Sequence, residues 1–317
     1  MKILVTPTSL QSGTNQPALK TLKNFCPNLI YNTAGRPLTE EELIPLLQDC
    51  DGYIAGLDFI TEKVLNSCPK LKVISRYGAG YDRVDIQAAK KNQITVTNTP
   101  GVNAQAVGEL AFGLILCTAR KIACLDNQLR SGKWIRSTGI ELFGKTLGIV
   151  GLGAIGKVVA NCARGFGMKV VAYDPFINMD YCQKQGIQAV DLEQLIRCSN
   201  IITLHLPLNA DTKRLINADR ISEMQDGAII VNASRGGIID EEAAYHALKS
   251  GKLGRLGLDA FEIEPPEASP LFELQNVTVT PHTGAHTKEA TENMANTAIQ
   301  NLIDVLSGRE CPNVIAC

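Results

Sequence analysis

Short apolar runs alternate with amphipathic segments along almost the whole chain, and this alternation constrains the fold more than any other feature. A strand, a covering helix and a second strand of the same direction make a βαβ unit, so the repeat builds parallel sheets rather than hairpins. Two sets separate. The first begins at "KILVTP" and continues through "LIYN", "GYIAG", "LKVISRYG" and "ITVTNT". The second begins at "KTLGIVGLGAIGK" and continues through "KVVAYDP", "IITLHLP", "GAIIVNAS", "RLGLDAF" and "NVTVTPH". Its strands are near-continuous apolar runs, as strands covered on both faces require. A length of 317 residues suffices for two cores. Between the sets, "NAQAVGELAFGLILCTARKI" reads as a long connecting helix. Thr39 with Glu42 forms a capping box ahead of "LIPLLQDC". The closing stretch "TKEATENMANTAIQNLIDVLSG" reads as one amphipathic helix ending at Gly308. Because it follows the last strand of the second set, it is expected to return to the first domain and make that domain discontinuous.

Charge and composition narrow the partners. A net charge of −1 with 20% charged residues leaves no basic excess, so no nucleic-acid partner is expected. The opening "MKILVTPTSL" breaks at Pro7, too soon for a signal peptide or a membrane span, which predicts a cytoplasmic protein without a membrane partner. The ten cysteines are scattered through apolar stretches such as "LILCTA", "NCARGF" and "LIRCSN" and read as reduced core thiols.

"IVGLGAIGK" places Gly151, Gly153 and Gly156 at G-x-G-x-x-G spacing, after the strand "TLGIV" and before a helix. The next strand, "KVVAYD", ends in Asp174, 18 residues beyond Gly156. This is the dinucleotide pattern: Gly151 for the turn, Gly153 for close approach of a pyrophosphate, Gly156 for helix against strand. The amides of Ala154 and Ile155 then face the phosphates at the helix N-terminus. A carboxylate at Asp174 accepts hydrogen bonds from the adenosine ribose and repels a 2′-phosphate, so NAD is the expected cofactor.

Nicotinamide chemistry on a 2-oxo acid asks the chain for a cation to hold the carboxylate and an acid to protonate the forming alkoxide. "NASRGGIID" offers Arg235, "DAFEIEP" offers Glu264 and "TPHTGAH" offers His282. Arginine's planar fork binds both carboxylate oxygens. Histidine exchanges protons near neutral pH, and a carboxylate beside it fixes its tautomer. On the residues alone, Glu262 competes with Glu264 for that place.

In the stretches "NTPGVNAQAVGELAFGLIL", "GKTLGIVGLGAIGK", "HLPL", "NASRGGIIDEEAAYHAL", "GLDAFEIEPP" and "PHTGAHTKEA" the chain resembles the D-isomer-specific 2-hydroxyacid dehydrogenases, a resemblance that covers nearly its whole length. Within that family it looks most like the phosphoglycerate dehydrogenases. It stops after their two catalytic domains, so control by an appended regulatory domain is not expected. The resemblance implies an NAD-dependent oxidoreductase acting on a small 2-hydroxy acid or its 2-oxo acid. Arg235 would bind the substrate carboxylate and carbonyl, His282 would be the acid/base and Glu264 its partner. Gly78, Ala79 and Gly80 of "RYGAGYD" would be backbone donors to the substrate. Val107, Leu206, Ala233, Asp259, Gly284 and Ala285 would join the cofactor contacts. The implied fold is α/β with two doubly wound parallel-sheet domains. A Rossmann NAD domain (99–284) is inserted in a flavodoxin-like substrate domain (1–98 and 285–317), with a cleft that closes on binding and a homodimer formed through the cofactor domains.

Other readings compete. Some relatives with the same Arg, Glu and His act as NAD(H)-responsive corepressors, whereas formate-oxidising relatives carry Gln where Glu264 stands. His282 and His286 are four apart, but Gly284 lies between them and no ligand cluster follows, so no metal is expected. His205 reads as a pocket residue or as a strand-end His satisfied by a carbonyl. Asp82 and Asp85 read as turn and cap residues, and Trp134 and Arg136 as surface packing or a cleft border. Phosphoglycerate dehydrogenases carry an Arg-Ser pair after the strand matching "GYIAG"; this chain has Gly56, Leu57 and Asp58. A substrate phosphate is therefore expected to meet a carboxylate there unless Arg76, Arg83, Arg136 or Lys288 compensates, and 3-phosphoglycerate stays an alternative substrate.

Overall fold

The computed structural model describes residues 1–11, 17–266 and 268–317. They form two compact units, Met1–Asn103 with His286–Cys317, and Ala104–Ala285. In the first unit, β1 (Ile3–Val5), β2 (Leu29–Tyr31), β3 (Gly52–Ala55), β4 (Val73–Arg76) and β5 (Thr95–Thr97) lie parallel in the order β2-β1-β3-β4-β5. Alternate residues of a strand face opposite sides, and both sides are covered. Leu4, Tyr53 and Ile74 pack with Leu43, Leu47, Val64 and Ala88; Ile3, Val5, Ile54 and Val73 pack with Leu19, Leu22, Ala298 and Leu302. Hence these short strands are apolar at every position of β1 and β3. The helix Glu40–Leu47 starts with the expected box, the Thr39 side chain accepting from Glu42 N while Glu42 accepts from Thr39 N.

The second unit contains β6 (Thr146–Val150), β7 (Lys169–Tyr173), β8 (Gln188–Ala189), β9 (Ile201–Leu204), β10 (Ala228–Asn232), β11 (Leu253–Leu258) and β12 (Val277–Val279), all parallel, ordered β8-β7-β6-β9-β10-β11-β12. Strand order reverses between β6 and β9, the switch point at which doubly wound sheets bind dinucleotides. The helix expected to connect the two strand sets follows β5 and precedes β6, and it is also a core element of this unit. Ala104–Arg120 packs Ala111, Leu114 and Ile115 on Ile149, Val159 and Val231. It stops at Lys121, whose φ is +56°, and a separate helix Ile122–Arg130 follows.

The chain then returns to the first unit as the helix Lys288–Leu306, followed by Gly308 at φ +70°. Its last residues form β13 (Val314–Ala316), antiparallel to β5, so the first sheet is mixed rather than wholly parallel. All ten cysteines are free, but only four are buried, five are half-buried and Cys317 is exposed, so the core-thiol reading holds for a minority. Burial pushes the Cys50 and Cys68 thiols up to about 11. Among the described residues no helix is long and apolar enough to cross a membrane.

Candidate active site

The carboxyl ends of β6, β7, β9, β10 and β11 carry most of the residues singled out in the sequence. After β6, Gly151 has φ +99°, and a Cβ there would lie 2.6 Å from the His205 carbonyl oxygen. A Cβ on Gly156 would lie 2.2 Å from the Gly151 oxygen, so turn and helix are in backbone contact. Gly153 differs: it begins the helix Ala154–Gly165 with no side-chain cap, and nothing lies within 4 Å of where its Cβ would be. The result is an open, uncapped helix N-terminus, the geometry that receives a phosphate on the first-turn amides. Asp174 follows β7 with its carboxylate fixed, Oδ2 accepting from Leu152 N and Oδ1 from Phe176 N, both at 2.8 Å. Each oxygen keeps a lone pair for a diol. Both features fit a dinucleotide.

Beyond β10, Asn232 folds the next turn: its Oδ1 accepts from the Ser234 amide and hydroxyl at 3.0 and 2.7 Å, and its Nδ2 donates to Arg235 O at 2.7 Å. A Cβ on Gly236 would fall 1.8 Å from Phe261 O, so the Arg235 turn is pressed against the segment leading to Glu264. Glu264 accepts from Phe261 N at 3.1 Å, and its two oxygens lie 2.9 and 3.0 Å from His282 Nδ1. That contact assigns the Nδ1 proton to the carboxylate side. Nε2 has no partner among the described residues and is left for a reactant. Glu262 stands elsewhere, 3.7 Å from Arg214 Nη2.

His282 has φ +49°. Asp259, 2% exposed, holds its loop: Oδ1 accepts from Thr280 Oγ1 at 2.6 Å and Thr283 N at 2.8 Å, and Oδ2 from Gly284 N at 2.8 Å. A Cβ on Gly284 would lie 3.0 Å from Asp259 Oδ2 and 3.5 Å from Val107. Val107, Ala233 and Ala285 share one core cluster, whereas Leu206 belongs to the other.

Gly78, Ala79 and Gly80 lie in the first unit, after β4. Their carbonyls accept from Thr99 N at 3.1 Å, Asn98 Nδ2 at 2.7 Å and Arg76 Nε at 3.1 Å, and their amides have no acceptor among the described residues. Asp85 caps the helix Ile86–Lys91 through Ala88 N; Asp82 lies in the turn before it. Trp134 is 79% exposed, and Arg136 is exposed beside it. His286 falls in the first unit and His282 in the second.

Two expectations are corrected. Asp58 does not present a carboxylate to a ligand: it is 1% exposed and accepts from Thr6 Oγ1, from the Tyr53 hydroxyl at 2.7 Å and from Leu38 N at 2.6 Å. Burial, with the Asp58 charge, holds the Tyr53 phenol well above its ordinary range, which keeps it a donor. His205 uses no carbonyl. Its Nε2 lies 2.9 Å from Thr203 Oγ1, Nδ1 is shut from solvent without a partner, and desolvation lowers the ring to about 3. The sequence reading does not single out Asn232 or Asn98; their signal is an Asn at the carboxyl end of a strand, the last residue of β10 and the first after β5.

Residues 112–284 match the D-isomer specific 2-hydroxyacid dehydrogenase, NAD binding domain. The chain is 42% identical over 282 residues to a D-3-phosphoglycerate dehydrogenase of Methanocaldococcus jannaschii, covering 88% of this chain but 54% of that one. It therefore spans about half the length of that relative. It is also 42% identical over 283 residues to a glyoxylate reductase of Thermococcus litoralis, covering 86% of each. The solved D-lactate dehydrogenase of Aquifex aeolicus, complexed with NAD and lactic acid, superposes with a TM-score of 0.87 at 27% identity over 100% of this chain and 99% of its own. With its two doubly wound units, its uncapped glycine turn and this likeness, the chain belongs to the D-isomer-specific 2-hydroxyacid dehydrogenase family, and its second unit carries that family's NAD-binding domain.

Proposed function

We propose that the chain interconverts a small D-2-hydroxy acid and its 2-oxo acid with NAD as cofactor. The observation that carries this reading is the His282–Glu264 pair with Nε2 left available, next to the turn that bears Arg235. Bound NADH supplies the hydride for reduction. Arg235 binds the substrate carboxylate and polarises the carbonyl, since a guanidinium bonds two oxygens at once. His282 Nε2 gives its proton to the oxygen as the alkoxide forms, and Glu264 stabilises the imidazolium that precedes transfer. The amides of Gly78, Ala79 and Gly80 take a carboxylate oxygen. Gly151, Gly153, Ala154, Ile155 and Gly156 receive the pyrophosphate and Asp174 the adenosine ribose. Val107, Leu206, Ala233, Asp259, Gly284 and Ala285 wall the nicotinamide end, Asp259 acting also through the His282 loop. No cation follows Asp174 in "PFIN", which favours NADH over NADPH.

On this reading residues 99–284 are the cofactor domain and residues 1–98 and 285–317 the substrate domain, in a cytoplasmic enzyme. A homodimer through the cofactor domain accounts for the exposed Trp134, Ile135 and Phe143 on one short stretch, where large apolar side chains otherwise gain nothing in water. Oxidation of 3-phosphoglycerate is the second reading, favoured by the identity to the archaeal relative. Glyoxylate, hydroxypyruvate, pyruvate and phosphohydroxypyruvate, each assayed with NADH and NADPH by nucleotide absorbance, test the proposal. Turnover with NADH on at least one acid supports it; cofactor binding without turnover on any of them rejects it.

A further inference from the structure

A trans peptide points its carbonyl and the following amide in opposite directions. In the loop after β4, Thr99 N holds Gly78 O, which turns the Ala79 amide outward, and Asn98 Nδ2 holds Ala79 O at 2.7 Å, which turns the Gly80 amide outward. Gly78, at φ +145°, supplies the backbone conformation this needs. Successive amides turned one way make an anion-binding concavity. Only one of the carbonyl holders that orient these two amides is a side chain, Asn98.

Asn98 is itself fixed from two later parts of the chain. Its amide donates to Asn313 O at 3.2 Å, and its carbonyl accepts from Asn301 Nδ2 at 2.8 Å. Asn301, 3% exposed on the return helix, accepts in turn from Asn313 Nδ2 at 3.0 Å and from Cys311 Sγ at 3.5 Å. The tail beside β13 thus closes a polar chain running Asn313, Asn301, Asn98, Ala79.

We propose that Asn98 is a positioning residue for the substrate carboxylate, setting the peptide plane that carries the Gly80 amide, and that Asn301 with the tail Cys311–Asn313 holds Asn98 in place. The proposal rests on the reading of Gly78, Ala79 and Gly80 as carboxylate donors. A carboxylate is bound alike before and during the reaction, so weakening its site raises KM and leaves kcat.

The test uses the full chain with NADH present and oxalate as the probe anion. Asn98→Ala should raise KM for the preferred 2-oxo acid and the oxalate Kd by roughly three- to tenfold, the worth of one hydrogen bond. The NADH Kd and kcat should stay within about twofold, since the bond lost serves neither nucleotide binding nor proton transfer. Asn301→Ala should shift the same two quantities by less, and it carries the test if Asn98→Ala does not fold. A fall in kcat at constant KM, a parallel loss of NADH affinity, or unchanged oxalate affinity in the variants overturns the proposal. Oxalate titration of the unsubstituted protein, followed through the Ala79 and Gly80 amide resonances, separates the two layers. Resonances that stay still reject the carboxylate reading itself; resonances that move while Asn98→Ala binds oxalate normally reject only the positioning role.

Discussion

His282 and His205 show how the same side chain is put to opposite uses within one unit. His282 keeps Nδ1 on Glu264 and leaves Nε2 open, so His282→Ala should lower turnover by roughly 100- to 10,000-fold, the usual worth of a general acid. The NADH Kd should be unaffected, and near-normal turnover in steady-state assays would reject the role. His205 has one ring nitrogen on Thr203 and the other sealed from water, which holds the folded imidazole neutral down to about pH 3 against an ordinary value of 6.5. The unfolded chain therefore binds more protons between those limits, and stability is lost as pH falls through that window, at up to about 1.4 kcal/mol per pH unit. Urea unfolding at pH 6.5, 5.5 and 4.5 should give a shallower decline for His205→Gln than for the parent. Equal slopes would show that the ring is not desolvated.

The helix Ala154–Gly165 and the turn before it separate folding from binding at single glycines. An added methyl at Gly156 would sit 2.2 Å from a backbone oxygen, so Gly156→Ala should lower Tm by several degrees, in line with a cost of about 1–3 kcal/mol for overpacking. At Gly153 the methyl meets no protein atom, and Gly153→Ala should keep the parent Tm yet weaken NADH binding, because it occupies the space over the open helix end. Calorimetry and nucleotide titration check both; a Gly153→Ala protein with normal NADH affinity would reject the cradle. These elements were legible in the sequence because strands covered on both faces leave unbroken apolar runs, and because β6, its glycine turn and Asp174 are close in sequence. β8 and β13 were not: β8 is only two residues long, and β13 falls outside the strand-helix alternation, following the return helix and pairing antiparallel at the sheet edge. Arg235 and His282 could be picked by residue type, whereas only the family resemblance tells Glu264 from Glu262. The side chains that hold the surrounding loops could not be picked: Asn301 and Asn98, which fix the Ala79 carbonyl, are 203 residues apart, and the use of Asp259 on the His282 loop depends on that loop folding back over it.

At the scale of the whole molecule the proposed function leaves a choice of acid, and the fate of Asp58 changes the argument for it. The sequence suggests a carboxylate repelling a phosphate after β3, but the structure spends that carboxylate on Thr6, Tyr53 and Leu38 inside the first unit. Repulsion is thereby removed as the reason. What stands in its place is the lack of a committed donor: the turn offers Gly56 and Leu57, Arg76 donates to Gly80 O and Ala55 O, and Arg83 donates to Leu57 O with its guanidinium 4.6 Å from the Phe59 ring centre. Turning Arg76 to a phosphate would give up its bond to Gly80 O, and turning Arg83 its bond to Leu57 O, a loss of about 0.5–1.5 kcal/mol for each hydrogen bond. The expected outcome is a kcat/KM for glyoxylate or hydroxypyruvate at least equal to that for phosphohydroxypyruvate. A preference for the phosphorylated acid of about a hundredfold, or roughly 2.7 kcal/mol in transition-state binding, would mean that a cation elsewhere, such as the exposed Lys288 or Arg136, holds the phosphate. Lys288→Ala and Arg136→Ala would then identify it, since only the residue that binds the phosphate should lower kcat/KM for the phosphorylated acid while sparing glyoxylate.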